Sequence, residues 1–135
     1  MNAPSTTRQK IKWAGRVLLA VLLGYLALIL LTTVAQEVMF NGIDYYSSPR
    51  GDLIFGGLAT FIAACLSGLV ASIMVKGRSL LPHAVISLLI LIETTTLITQ
   101  GVLKGPLWFE ALSGLALIIG VYAGHFAGKS FIYGN

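Results

Sequence analysis

Long runs of apolar residues, separated by short polar segments, divide the chain into four parts. Each run can form a helix of about 20 residues, the length that crosses a bilayer core of about 30 Å. The runs predict helices over 15–36, 53–75, 80–100 and 106–128. Because the segments between them are short, we expect one membrane domain, 1–135, with no soluble domain.

Residues that begin or break helices lie at the ends of these runs. Asp52 is placed to cap the second helix, and Ser79 precedes the third, with Pro82 in its first turn. Gly105 and Pro106 open the fourth run, where a proline is tolerated because no helical amide partner is needed there. These residues support the predicted boundaries.

Basic residues are distributed unevenly between the two sides of the four helices. Short loops rich in Lys and Arg stay in the cytoplasm. Two basic residues, Arg50 and Lys104, fall on one side, and seven fall on the other: Arg8, Lys10, Lys12, Arg16, Lys76, Arg78 and Lys129. The sequence therefore predicts an all-α integral membrane bundle of four antiparallel helices with both termini in the cytoplasm.

The first apolar run also resembles a secretory signal peptide, since Arg16 precedes it. The run is longer than a typical signal core, and the residues that follow it form a poor cleavage site. We therefore expect it to remain as a membrane helix.

Composition supports a membrane protein. The 135 residues are 56% hydrophobic and 10% charged, whereas a soluble domain carries about 25% charged residues. The net charge of +4 forms no basic cluster on a soluble face, so nucleic acid is not an expected partner. The expected surroundings are membrane lipids, in a plasma membrane and specifically a bacterial inner membrane.

Small residues recur at every fourth position of the second and fourth helices. This spacing allows helix backbones to approach closely in lipid. Packing within the bundle, a seam between copies, and docking on a larger partner are all compatible with it. The residues are Gly56, Thr60, Ala64, Gly68 and Ser72 on the second helix, and Ala116, Gly120, Gly124 and Gly128 on the fourth.

Glu93 places a carboxylate inside the third apolar run. Helical phase puts Thr96 and Gln100 on its face, and Thr60 and Ser113 fall at a similar depth on the other helices. We expect these five residues to form an intramembrane polar layer. Two further carboxylates, Glu37 and Glu110, are expected at its outer rim.

A lone charged carboxylate in hydrocarbon costs at least a few kcal/mol. Glu93 could be protonated and hydrogen-bonded to Thr60 or Ser113, could face a water-filled vestibule, or could pair with a basic residue of another protein. The nearest basic residue in the chain is Lys104, in the predicted outer loop. The sequence leaves these alternatives open.

Two histidines, His83 and His125, fall near the predicted cytoplasmic interface. Two histidines at one depth could hold a haem or a metal, but histidine at an interface is more often a polar anchor. The sequence supplies no conventional metal-ligand set and no phosphate-binding glycine loop. We therefore expect no metal, no cofactor and no enzymatic activity.

Several short motifs resemble a loose family of small bacterial four-helix membrane proteins. They are "GLVAS", "LLPHA", "GPLWF" and "GVYAGHFAGKS", together with Glu37 followed by "FNG". The family is uncharacterised, so the resemblance implies the four-helix topology and no activity.

The sequence favours a non-enzymatic accessory or interaction subunit that docks on a larger membrane complex, or on copies of itself. The small-residue ridges and the unpaired Glu93 support this prediction. The alternative is a small oligomeric transporter or channel that uses Glu93 as a proton or cation site. An enzyme that handles a lipid or a quinone comes third.

Overall fold

Four long helices make up the protein in a computed structural model that describes residues 6–103 and 105–134. A π-helical turn, Val34–Val38, continues the first helix. The described residues contain no β-strand, which confirms the prediction of an all-helical fold. The helices are α1 (Thr7–Thr33), α2 (Arg50–Met74), α3 (Leu81–Thr99) and α4 (Leu107–Tyr133).

All four helices are long and apolar enough to cross a membrane. The first, including its π-helical turn, is 32 residues long, and the third is the shortest at 19. The prediction of four such helices is confirmed. Many large apolar side chains lie on the outside of the bundle, as expected when lipid rather than water surrounds it.

Two helices extend beyond the apolar runs that predicted them. α1 begins at Thr7 rather than near residue 15, and the side-chain Oε1 of Gln9 accepts a hydrogen bond from the Thr6 amide at 3.2 Å. α4 continues to Tyr133 rather than ending near residue 128. Hydropathy identifies only the part of a helix that lies in the hydrocarbon, so polar helical ends escape it.

The start of α2 differs from the prediction. Pro49 occupies the N-cap position, so Asp52 lies inside the first turn instead of capping it. A carboxylate in the first turn is still favourable, because it faces the positive end of the helix dipole. Ser79 does act at the start of α3, where its Oγ accepts a hydrogen bond from the Leu81 amide at 3.2 Å.

α2 and α4 meet through the closest backbone contact in the bundle. A Cβ atom added at Gly68 would overlap the carbonyl oxygen of Val121, and one at Gly124 would overlap that of Cys65. Gly120 faces the Cβ of Ala64 in the same seam. Helices in lipid gain stability from such contact, since no hydrophobic effect drives them together.

The predicted small-residue ridges therefore face each other over most of their length. Gly128 extends the seam and contacts the side chain of Ser72. Two residues of the α2 ridge lie elsewhere: Gly56 packs against Ile43 of the connecting segment, and Thr60 is reached by a side chain of the π-helical turn. Ala116 on α4 is partly buried.

α1 joins the bundle through a glycine in its middle. The hydroxyl of Ser67 donates a hydrogen bond to the Gly24 carbonyl at 2.6 Å, in a fully buried contact. A Cβ at Gly24 would lie 2.8 Å from Ile86 Cδ1, so α3 also packs here. This contact fixes the rotation of α1, and that rotation decides which α1 side chains face the interior.

Candidate functional site

Glu93 has a hydrogen-bond partner within the chain. The phenol of Tyr25, on α1, donates a hydrogen bond to Glu93 Oε2 at 2.8 Å. The two partners expected from the sequence donate elsewhere: Thr60 Oγ1 to the Gly56 carbonyl at 2.8 Å and Ser113 Oγ to the Phe109 carbonyl at 2.9 Å. The expected hydrogen bond to Thr60 or Ser113 is therefore replaced by one to Tyr25.

Glu93 also lines a cavity of about 310 Å³, whose wall does not include Tyr25. All four helices and the π-helical turn contribute residues to its wall. The wall includes Glu37, Glu93 and Glu110, which are the only three glutamates in the chain. We call this space the glutamate cavity.

The rest of the wall combines polar and apolar side chains. Apolar surface comes mainly from leucine and isoleucine of α1, α3 and α4. The uncharged polar residues are Thr32, Thr33, Gln36, Thr60, Thr94 and Ser113. Such a mixed lining, with a few convergent polar groups, is typical of small-molecule sites.

Two members of the predicted polar layer lie outside the cavity. Thr96 is exposed and its Oγ1 donates a hydrogen bond to the Ile92 carbonyl at 2.7 Å, while Gln100 follows the end of α3. The face of α3 that lines the cavity carries Thr94 and Leu97. Glu93 lies at one edge of that face. Thr96, three residues further along the helix, therefore points away from the cavity.

The π-helical turn brings two residues of the α1 terminus to the cavity. The Met39 amide, just after this turn, donates a hydrogen bond to the Val34 carbonyl at 3.1 Å, five residues earlier in the chain. The turn therefore holds one residue more than an α-helical turn. Gln36 and Glu37 both line the cavity. The Gln36 amide nitrogen donates to Thr60 Oγ1 at 3.5 Å, which links α1 to α2.

Glu110 lies in the first turn of α4, where the helix dipole favours a carboxylate. Its Oε1 accepts a hydrogen bond from the Gly105 amide at 3.2 Å. Lys104, which the sequence predicts to be the basic residue nearest to Glu93, lies outside the described residues. Glu110 is thus positioned at the cavity wall by its own helix terminus.

Electrostatics in the glutamate cavity favour positive charge. None of the described residues that line it is basic, whereas three carry carboxylates. Among the described residues, no three side chains of His, Cys, Asp or Glu group closely enough to hold a metal ion. The described lining of the cavity is therefore acidic.

His83 and His125 form a separate cluster at the opposite end of α3. Their rings are in edge contact, with centroids 4.5 Å apart. His83 is fully buried, and its Nε2 donates a hydrogen bond to the Gly68 carbonyl at 2.9 Å. His125 Nδ1 lies 3.2 Å from the Ser72 hydroxyl. Both histidines thus pack inside the bundle, in contact with α2, and their position near the cytoplasmic interface stays a prediction.

Comparison with protein-family models, curated proteins and solved structures finds no match to this chain. The resemblance to small bacterial four-helix membrane proteins stays a prediction.

Three carboxylates, five hydroxyls and one amide line the glutamate cavity. A hydrogen bond from a phenol to an ionised carboxylate is charge-assisted and leaves the net charge unchanged. Sequence reasoning missed Tyr25 and Gln36, although both are polar residues within or beside the first apolar run.

Proposed function

We propose that the chain is a small membrane transporter or channel that takes up a cation in the glutamate cavity. Glu93 is the residue that binds the cation or exchanges it for a proton. The observation that carries this proposal is that all three glutamates of the chain line one cavity. Carboxylates inside a membrane-spanning region are costly, and where they occur they commonly mark an ion or substrate pathway.

The proposal includes an orientation. We infer an antiparallel bundle in a bacterial inner membrane, with both termini in the cytoplasm and the glutamate cavity in its outer half. Two contacts support the antiparallel pairing of α1 and α2: Ser67 meets Gly24, and Thr60 meets Gln36, so one numbering rises as the other falls. The excess of Lys and Arg near the other end supports the cytoplasmic assignment.

The accessory subunit favoured by the sequence remains a prediction. The two features that supported it, the small-residue ridges and Glu93 without a partner, can both be explained by contacts within the chain. Most small residues of α2 and α4 pack against each other, so they leave little of that ridge for a partner. Glu93 accepts a hydrogen bond from Tyr25, so it requires no basic residue from another protein. The geometry therefore favours transport.

Neutralising Glu93 tests the proposal directly. Glu93→Gln keeps the shape of the side chain and removes its charge, so cation-driven flux should fall by about tenfold or more, the equivalent of about 1.4 kcal/mol of lost binding. The measurement is flux in liposomes that contain the purified protein and a pH-sensitive dye, after cations are added outside. Tyr25→Phe should change the flux less, because the carboxylate remains.

Asp52→Asn is the matched control for this experiment. It removes a carboxylate near the same end of the bundle that does not line the cavity. Flux in this variant should equal that of the native protein. Equal flux in the native protein and in Glu93→Gln would refute the assignment of Glu93.

Purification in mild detergent, followed by native mass spectrometry, separates transport from an accessory role. The proposed transporter should appear alone or as copies of itself. A stoichiometric complex with a different membrane protein would instead support the accessory subunit and contradict the proposal.

A further inference from the structure

Three basic residues from two segments lie together at the end of the bundle opposite the glutamate cavity. Lys76 and Arg78 belong to the short turn between α2 and α3, and Lys129 belongs to the last part of α4. A Cβ added at Gly77 would lie 3.5 Å from the Cα of Lys129, so the turn packs against α4 at this point. All three basic residues are exposed. We call them the basic cluster.

Tyr133, the last residue of α4, links the two segments that carry the basic cluster. Its hydroxyl donates a hydrogen bond to the Lys76 carbonyl at 2.8 Å and accepts one from Arg78 Nε at 3.4 Å. Its ring lies 3.3 Å from the position of a Cβ at Gly77. The terminal amino groups of the Arg78 guanidinium have no partner among the described residues, so they are available to an anion.

The chain supplies no acidic side chain to the basic cluster. Glu93 is 12 residues beyond Leu81, the first residue of α3, which places it about 18 Å along that helix. The other four acidic residues lie at the far end of the bundle: Glu37, Asp44, Asp52 and Glu110. Three neighbouring positive charges without a carboxylate nearby repel one another, so an anion from outside the chain stabilises them.

The surroundings of the basic cluster indicate an amphiphilic anion. α2 and α3 are both long and apolar enough to cross a membrane, so the turn between them lies at the depth of the lipid headgroups. Phe126 lies three residues before Lys129 on the same face of α4, closer to the middle of the helix, and is 65% exposed. Leu81, which follows the turn, is 44% exposed. A ligand with a charged head and an apolar body contacts both kinds of surface, whereas free phosphate contacts only one.

We propose that the basic cluster binds the headgroup of an anionic phospholipid that carries two phosphates, such as cardiolipin. Basic sites between transmembrane helices bind headgroups of this kind. The Arg78 guanidinium suits bidentate contact with one phosphate, and the two lysines supply charge for the second. One phosphate would leave two positive charges unbalanced, whereas two phosphates leave one. The site is at the opposite end of the bundle from the glutamate cavity and does not depend on the proposed function.

Native mass spectrometry of the protein in a non-ionic detergent, during titration with cardiolipin, measures the affinity for one lipid. Arg78→Gln and Lys129→Gln should each weaken cardiolipin binding about fivefold, the usual contribution of one basic residue to attraction of anionic headgroups. Lys129→Arg keeps the charge and should bind cardiolipin as the native protein does. This second variant shows that the loss in Lys129→Gln comes from the charge and not from a change of fold.

Lys10→Gln is the matched control. It removes the same charge from the exposed start of α1, a helix that packs on α2 and α3. At physiological salt, cardiolipin binding should stay within about twofold of the native value, because an exposed charge outside the site is screened. Phosphatidylglycerol, which has one phosphate, should bind the native protein about fivefold more weakly than cardiolipin.

Three results would overturn the inference. If Lys10→Gln weakens cardiolipin as much as Lys129→Gln, the attraction comes from diffuse charge and not from the basic cluster. If phosphatidylglycerol binds as tightly as cardiolipin, the second phosphate is not recognised. If inorganic pyrophosphate displaces cardiolipin at equal concentration, the site recognises a free anion and not a lipid. Glu93→Gln should leave cardiolipin binding unchanged, so failure of the lipid site and failure of the proposed function are distinguishable.

Discussion

Gly68→Ala is expected to destabilise the bundle by about 3 kcal/mol or more. Overpacking a tight interior by one methyl group typically costs 1–3 kcal/mol, and here the new Cβ would meet the backbone carbonyl of Val121 rather than a movable side chain. No rotamer change relieves that overlap, so α2 and α4 would have to separate along their seam. An unfolding titration in mixed micelles, followed by circular dichroism, measures the loss.

Gly57→Ala supplies the matched control for Gly68→Ala. Gly57 lies on the same helix, and a Cβ there would meet nothing within 4 Å. Alanine is a better helix former than glycine, so this variant should be more stable by up to about 1 kcal/mol. The same substitution of glycine by alanine should thus lower stability at one position of α2 and raise it at another. Equal stability of the two variants would show that α2 and α4 are not in backbone contact.

His83→Ala is expected to cost about 3 kcal/mol. His83 is fully buried between α2 and α4, in ring contact with His125, so its removal leaves a void with lost van der Waals contacts on every side. The substitution also removes the hydrogen bond to the Gly68 carbonyl. The unfolding titration used for Gly68→Ala measures this effect as well.

His83→Leu separates the void from the hydrogen bond. Leucine roughly conserves the volume, so only the polar contact is lost, and a single hydrogen bond contributes about 1 kcal/mol. The native ring also carries a buried Nδ1 with no partner, and leucine removes that unfavourable group. We therefore expect His83→Leu to lie within about 1 kcal/mol of the native protein. A loss as large as that of His83→Ala would assign the whole effect to the hydrogen bond.

The four long apolar helices could be predicted from the sequence because lipid imposes a simple rule. A single run of about 20 apolar residues can pair its backbone amides within itself only as a helix. The four-residue spacing of small residues similarly indicated where helices could approach, and Gly120, Gly124 and Gly128 do meet α2. Both features depend on local pattern alone.

The partner of Glu93 could not be found by pattern, because Tyr25 lies 68 residues away in the chain. Their contact depends on the rotation of α1, which is set by the packing of Gly24 against Ser67 and Ile86. The π-helical turn presents the same difficulty. An inserted residue carries no compositional signal, yet it determines where Gln36 and Glu37 point.

Thr96 and Gln100 lie outside the cavity wall for a different reason. The helical phase was counted from Glu93, as if that residue marked the centre of the inward face of α3. In the structure that centre lies near Ile90 and Thr94, and Glu93 is at its edge. A side chain as long as glutamate can reach a polar site from the margin of a helix face.

The burial along α3 is uneven, and this has a mechanical consequence. Its four buried residues, Pro82, His83, Ile86 and Ile90, lie between its start and its middle, whereas the remaining part, which carries Glu93, has none. α2 and α4 are in backbone contact, so separating them would lose much of the packing between them. We therefore expect the end of α3 that carries Glu93 to tilt more easily than the end that carries His83.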